Sequence, residues 1–217
     1  MNVAIILGAG TGSRLDSSVP KQFIKLGNKR IITYSIEAFE SSKLIDEIII
    51  VVSPDWVDKI SSEYPNYTTI AGGTSRKESS YNGLRACSPN TKKVLIHDAA
   101  RPFISQKIIT SCIGGLDTHK AVATSIPVTD TIVKSTNGEI INIEDRNKLF
   151  LNQTPQGFEY NTILKAHKGS KGDVTDDISL LKLDEIKCKV VNGSTNNIKI
   201  TSPADIHIAQ SILDLIK

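Results

Sequence analysis

The sequence has little cysteine, no long apolar run and no block of one charge. Its three cysteines, Cys87, Cys112 and Cys188, are odd in number, far apart and without CxxC spacing. That pattern excludes a disulfide framework and a cysteine-rich zinc site, and it suits inert thiols in a reducing compartment. No stretch approaches the roughly 20 apolar residues of a membrane span. The opening MNVAIILGAGTGSR meets glycine after about five apolar residues, so it reads as a buried strand and not as a signal peptide. The expected setting is the cytoplasm, with no membrane partner. Net charge is +3, and no run of five or more Lys or Arg occurs, so nothing points to nucleic acid. Repeats, low-complexity tracts and linkers are also missing.

What is present is the patterning of an α/β protein. A length of 217 residues fits one domain spanning 1–217, long enough to bury its own core. Strands are predicted at Val3 to Leu7, Ile48 to Val52, Tyr67 to Ile70, Val94 to His97 and Ala121 to Ile126. Helices are predicted at Ile31 to Phe39, Val57 to Tyr64, Arg76 to Ala86 and Ile104 to Leu116. Such alternation gives a mostly parallel sheet covered by helices on both faces. The rhythm changes between about residues 128 and 153. There Thr131 to Val133 and Glu139 to Ile143 flank Ser135-Thr136-Asn137-Gly138, a hairpin signal. A hairpin placed there can project as an arm, covered either by a second copy of the chain or by its own domain. Further helices are expected at about 159–168, 175–183 and 203–216, with strands near 187–191 and 197–201.

Gly8-Ala9-Gly10-Thr11-Gly12-Ser13-Arg14 follows the first strand directly. Its glycines let backbone N–H groups turn toward an anion. A dinucleotide fingerprint would need glycine where Ser13 stands, and a P-loop would need a GK[ST] ending. What remains is a glycine turn flanked by two cations, Arg14 and, in Pro20-Lys21-Gln22, Lys21. Arginine can grip two phosphate oxygens as a fork, and lysine adds a point charge. The turn is therefore read as a triphosphate cradle.

Three further segments join this loop: Val94-Leu95-Ile96-His97-Asp98-Ala99-Ala100-Arg101-Pro102, Asp145-Arg146-Asn147 leading to Gln153-Thr154-Pro155-Gln156, and Asn197-Ile198-Lys199-Ile200-Thr201 with Pro203 and Asp205. Together they resemble the sugar-phosphate nucleotidyltransferases, and among these the 2-C-methyl-D-erythritol 4-phosphate cytidylyltransferase family, from Val3 to about Ile212. The ribitol 5-phosphate cytidylyltransferases are a sister family. Ala100 and the Asp145-Arg146-Asn147 segment favour the methylerythritol family. Gly8-Ala9-Gly10 is intermediate between the two. The resemblance implies a Rossmann-like sheet of the nucleotide-diphospho-sugar transferase type and transfer of a nucleotide from CTP to a polyol phosphate. It implies that Arg14, Lys21 and Lys199 hold phosphates, with Asp98 beside the ribose and the acceptor. Gly8, Ala9, Gly10 and Gly12 would cradle CTP. Gly72-Gly73-Thr74 with Arg76 and Ser79 matches the segment that reads the base, where Gly73, Thr74 and Ser79 would contact its edge. Arg101, Thr131, Arg146, Thr154 and Thr175 would hold the acceptor. Mg²⁺ is expected on the CTP phosphates, without a dedicated protein cage. The family's arm reaches a partner subunit, so a homodimer is implied, with the arm at about 128–150.

From the residues alone, Asp176 and Asp177 either bond acceptor hydroxyls or cap the next helix. His97 reads as structural ahead of general base. A nucleotide-binding module without catalysis and a dinucleotide-dependent oxidoreductase are the readings from other classes. The set Arg14, Lys21, Asp98 and Lys199 argues against the first, and Ser13 against the second.

Overall fold

The computed structural model describes residues 1–10, 19–170, 172, 174–182 and 185–216. In chain order, β1 (Asn2–Gly8) is followed by a small hairpin of β2 (Lys25–Leu26) and β3 (Lys29–Arg30), then α1 (Ile31–Glu40), β4 (Glu47–Val52), α2 (Val57–Glu63), β5 (Thr68–Ala71), α3 (Arg76–Ala86), β6 (Lys93–Asp98), α4 (Gln106–Gly115) and β7 (Ala121–Pro127). After these come the hairpin of β8 (Val133–Thr136) and β9 (Glu139–Ile143), then β10 (Phe150–Glu159), α5 (Tyr160–Gly169), β11 (Cys188–Asn192) and α6 (Pro203–Leu215).

Seven strands form one sheet in the order β11-β7-β10-β6-β1-β4-β5. β1 lies parallel to β4 and β6, β4 to β5, and β7 to β11. β1, β4 and β6 are nearly continuous apolar runs, and the sheet is covered on both faces, as parallel strands require. One core layer packs Ile32, Ile36 and Phe39 of α1 and Ile108, Ile109 and Cys112 of α4 on one face. The other sets Leu84 of α3 and Ile163 of α5 on the opposite face. α3 approaches β1 so closely at Gly83 that a Cβ there would stand 2.5 Å from Ile5. A third cluster docks α6 on the β2–β3 hairpin through Leu26, Ala209 and Leu213. Ser202 starts α6 with a capping box shared with Asp205. Among the described residues, no helix is long and apolar enough to cross a membrane.

Three features differ from the sequence reading. β10 is a strand where the pattern of Gln153-Thr154-Pro155-Gln156 suggests none. It runs antiparallel between β6 and β7, and the register shifts between Asn152 and Gln156. That irregularity accommodates Pro155, which has no N–H for the ladder. A helix is predicted over 175–183; of its described residues, 175–182, only Ile178–Leu180 form a single 3₁₀ turn. The N–H groups of Asp177 and Ile178 go to the side-chain oxygen of Gln156, which fixes the chain in another course. The predicted strand at 197–201 has no ladder. Side chains and one backbone bond stitch it down instead, Arg101 to the Asn197 carbonyl at 2.8 Å and the Ile200 N–H to the Ala100 carbonyl at 2.9 Å.

The predicted hairpin forms, with its first strand at Val133–Thr136 in place of Thr131 to Val133. Asn137 and Gly138 adopt φ of 52° and 86°, the left-handed pair that a tight two-residue turn needs. The arm does not fold back on its own domain. Its side chains stay in solvent, and Ile140, Ile141 and Ile143 are 65%, 61% and 66% exposed.

Candidate active site

Parallel strands bring their C-terminal ends to one edge, where open α/β sheets bind ligands. Gly8 ends β1, Asp98 ends β6, Ser53 and Pro54 follow β4, and Gly72 and Gly73 follow β5. Of these, Gly8, Ser53, Pro54, Gly73 and Asp98 line a cleft of about 530 Å³ together with Ala9, Gly10, Lys21, Thr74, Ser79 and Lys199. A second cleft of about 250 Å³ lies beside it, lined by Arg101, Asn152, Thr154, Thr175 and Asp176 among others. Arg76, Asp98 and Lys199 line both clefts and form the wall between them.

That wall is built from charge. Lys199 Nζ donates to Asp98 Oδ2 at 2.6 Å, and Arg76 Nε donates to Asp98 Oδ1 at 3.2 Å. Burial alone would raise the Asp98 pKa, but Arg76 and Lys199 outweigh it and hold the carboxyl well below the usual carboxylate range. Arg76 reaches past Asp98 to Asp177 at 2.7 Å, and these two carboxylates raise its pKa despite burial. Burial lowers the pKa of Arg101. Arg76 Nη2 is buried and lies 3.2 Å from Asp98 Oδ1 as an ion pair. Arg101 Nε is buried without a hydrogen-bond partner among the described residues.

His97 and Thr154 support the wall from below. His97 Nε2 faces the Arg101 carbonyl at 3.0 Å, an acceptor only, so Nε2 carries the hydrogen. Burial lowers the His97 pKa to about 4, so the ring is neutral and Nδ1 accepts from the Thr154 hydroxyl at 3.2 Å. Thr154 Oγ1 in turn accepts from the Asp98 N–H at 3.0 Å. The Thr154 hydroxyl is thus spent inward, holding the strand end that carries Asp98. His97 has the structural role expected of it.

In the larger cleft, Gly73 N–H donates to Ser79 Oγ at 3.1 Å, and Ser79 donates to the Ser75 carbonyl at 2.9 Å. Thr74 donates to Glu78 from its N–H and its hydroxyl, at 2.7 and 2.8 Å. These bonds set the course of the turn before α3. Gln22, to which sequence analysis assigned no role, is buried next to Lys21 and donates its side-chain amide to the carbonyls of Gly8 and Gly10. It ties the start of the glycine turn to the segment bearing Lys21. Gly12 and Arg14 lie outside the described residues.

Thr131 and Arg146 are not brought to either cleft among the described residues. Both are exposed on the arm, where Arg146 Nη1 donates to the Thr129 carbonyl at 2.8 Å. Asp176 caps the turn after it by accepting from the Ser179 N–H at 3.0 Å, whereas Asp177 turns inward. Arg76 is placed by resemblance in the base-reading segment, but its bridge between Asp98 and Asp177 is not. A single arginine in a helix gives no sign in sequence that it will join two distant aspartates. Among the described residues no group of three or more His, Cys, Asp or Glu side chains could hold a metal ion.

A cationic wall between two clefts at the carboxyl edge of a Rossmann-like sheet defines a nucleotidyltransferase of the α/β class. More particularly, the chain belongs to the IspD family, 2-C-methyl-D-erythritol 4-phosphate cytidylyltransferase, which it matches over residues 2–215. It is 40% identical to the 2-C-methyl-D-erythritol 4-phosphate cytidylyltransferase of Clostridioides difficile (strain 630), over 100% of this chain and 95% of that one. The crystal structure of 4-diphosphocytidyl-2C-methyl-D-erythritol synthase from Anaerococcus prevotii superposes with a TM-score of 0.88 at 32% identity, covering 98% of this chain and 96% of the other. A third relative is the bifunctional ribulose 5-phosphate reductase/CDP-ribitol pyrophosphorylase Bcs1 of Haemophilus influenzae. It is 38% identical over 97% of this chain and 48% of its own length.

Proposed function

We propose that this chain transfers CMP from CTP to 2-C-methyl-D-erythritol 4-phosphate, giving CDP-methylerythritol and pyrophosphate. The observation that carries this reading is the shared wall: two clefts of unequal size meet at Arg76, Asp98 and Lys199. The larger fits a nucleoside triphosphate and the smaller a polyol phosphate, which places the α-phosphorus at the wall. An oxygen of the acceptor phosphate bonds to that phosphorus as the bond to the bridging oxygen of pyrophosphate breaks. No covalent enzyme intermediate is needed, so catalysis lies in positioning and in neutralising charge.

Lys21 and Lys199 face the nucleotide cleft, with Arg14 assigned by resemblance, and they offset charge on the α-phosphate and the leaving group. Gly8, Ala9 and Gly10 offer backbone to the phosphates, and Gly73, Thr74 and Ser79 stand at the base end. Arg101 and Thr175 line the acceptor cleft. Mg²⁺, if bound, would be held by the triphosphate oxygens and water and would neutralise part of their charge. Asp98 is the carboxylate at the wall, and both its oxygens already face cations, which suits an ion held mainly by substrate oxygens and water.

The chain works as one domain and as a homodimer. The exposed isoleucines of the arm are covered by a second copy, and Thr131 and Arg146 reach that copy's acceptor cleft. The cytoplasm is its setting, and no nucleic acid or membrane takes part. Burial pushes the thiols of Cys87, Cys112 and Cys188 up to about 12, 11 and 11, so all three stay protonated and inert there.

The test offers CTP and Mg²⁺ with methylerythritol phosphate or ribitol 5-phosphate in parallel and reads pyrophosphate release. Faster turnover of methylerythritol phosphate is expected. A preference for ribitol phosphate would move the protein to the sister activity that the likeness to Bcs1 suggests. Release with neither acceptor would end the proposal.

A further inference from the structure

Beneath the wall lies a buried polar cluster that the transfer described above does not use. Asp177 is fully buried. Its Oδ2 accepts from Arg76 Nη1 at 2.7 Å, while Oδ1 accepts from Ser80 Oγ at 2.6 Å and faces His167 Nε2 at 3.1 Å. Ser80 and His167 are buried too, and the His167 ring stacks on Tyr81. A carboxylate accepts only, so Ser80 and His167 both donate to it and fix its rotation. Burying a carboxylate carries a large desolvation penalty unless its partners are well placed. The local turn does not require that burial, because Asp176 already caps it at Ser179. What the inward turn of Asp177 secures is Arg76.

The same residue holds the acceptor side. The Asp177 and Ile178 N–H groups donate to Gln156 Oε1 at 3.0 and 3.1 Å, and Gln156 Nε2 donates to Asp176 Oδ2 at 3.0 Å. Thr175 and Asp176, on the lip of the smaller cleft, are thereby tied to the residue that grips Arg76. Ser80 comes from α3, which begins at the base end of the larger cleft. We propose that Asp177, oriented by Ser80 and His167, is a positioning residue for the transfer: it fixes Arg76 between the two clefts, and through Arg76 the aim of Asp98, while anchoring the acceptor lip. It touches neither substrate. This inference rests on the proposed transfer reaction. Misplacing reacting groups by about 1 Å can cost roughly 10²-fold in rate, which is the scale expected here.

The test is Asp177→Asn in the full chain, which keeps the shape and removes the charge. Turnover should fall by roughly 30- to 100-fold, with KM for CTP and for the acceptor each changed by less than about threefold, because the backbone N–H that anchors the lip is kept. Combined with Arg76→Lys, which loses the fork, it should cost no more than Arg76→Lys alone, because both act through one contact. Additive losses, or turnover within about twofold of wild type, would overturn the proposal. Should Asp177→Asn fail to fold by circular dichroism, Ser80→Ala removes one of the two orienting donors and should lower turnover by about 3- to 10-fold at wild-type melting temperature. Unchanged turnover in a folded Ser80→Ala protein also counts against it. A readout independent of activity is the Arg76 Nε–H resonance by NMR, protected from exchange in wild type and unprotected in Asp177→Asn. Protection that survives the substitution overturns the proposal. An inactive wild type that nevertheless shows this loss would sink the transfer reading and leave the positioning role standing.

Discussion

Lys199 comes to Asp98 from an extended segment without a ladder, and its side chain remains 38% exposed. It contributes little to the core and much to the charge at the wall. Lys199→Ala is therefore expected to lower turnover by about 10²- to 10³-fold while the melting temperature barely moves. Pyrophosphate release and a thermal scan on one preparation check both halves, and a loss of fold in step with activity would refute it. His97 gives the opposite case, a residue for stability. Its pKa is lowered to about 4 by burial, against about 6.5 in an unfolded chain. Below about pH 6.5 the unfolded state takes up a proton that the folded state refuses, so stability falls as pH drops toward 4 and the loss then levels off. Linkage over that window gives roughly 2–3 kcal/mol. Urea titrations at pH 7.5, 5.5 and 4.5 should show the slope, and His97→Gln should flatten it. Sequence disclosed Asp98, Lys21 and Lys199 because each lies in a distinctive run. Gln22 stayed hidden, and Arg76 and Asp177 were noticed for other roles, because what each does depends on which way its side chain turns in three dimensions.

At the scale of elements, the arm follows from local chemistry. Asn137-Gly138 dictates a left-handed turn, and the turn pairs β8 with β9 whatever the rest of the chain does. What the arm touches is not local. Ile140, Ile141 and Ile143 are all exposed on the one short strand β9, and the proposed second copy would cover them. Ile140→Asp with Ile143→Asp should yield a monomer by light scattering. Its turnover should fall because Thr131 and Arg146 no longer reach a second cleft. A monomeric double variant with full activity would refute the shared site. β10 was illegible for the converse reason. Pro155 disfavours a central strand by itself, and only the neighbouring β6 and β7, together with a break in register, make one there.

For the whole molecule, the sheet order places every strand end that matters on one edge, so ligand binding and folding are linked. A ligand held only by the native state at about 100 times its dissociation constant stabilises by about 2.7 kcal/mol. For a chain of this size that raises the melting temperature by about 5–10 °C. Mg²⁺ with CTP should produce such a rise, and UTP or GTP at equal concentration a smaller one. Equal shifts for all three would remove base selection from Gly73, Thr74 and Ser79, and no shift with CTP would remove the nucleotide site.

Sequence by itself determined the parallel sheet, the hairpin and the cationic character of the site. Each of these is fixed by neighbours along the chain, through apolar period, φ preference or residue charge. Tertiary structure alone decided that Arg76 would stand between Asp98 and Asp177, that Thr154 would spend its hydroxyl inward on His97, and that the segment around Lys199 would lie unpaired against the cleft. Those arrangements are contacts between groups remote in sequence, and their energies come from burial and paired charge, which exist only after the chain has closed around them.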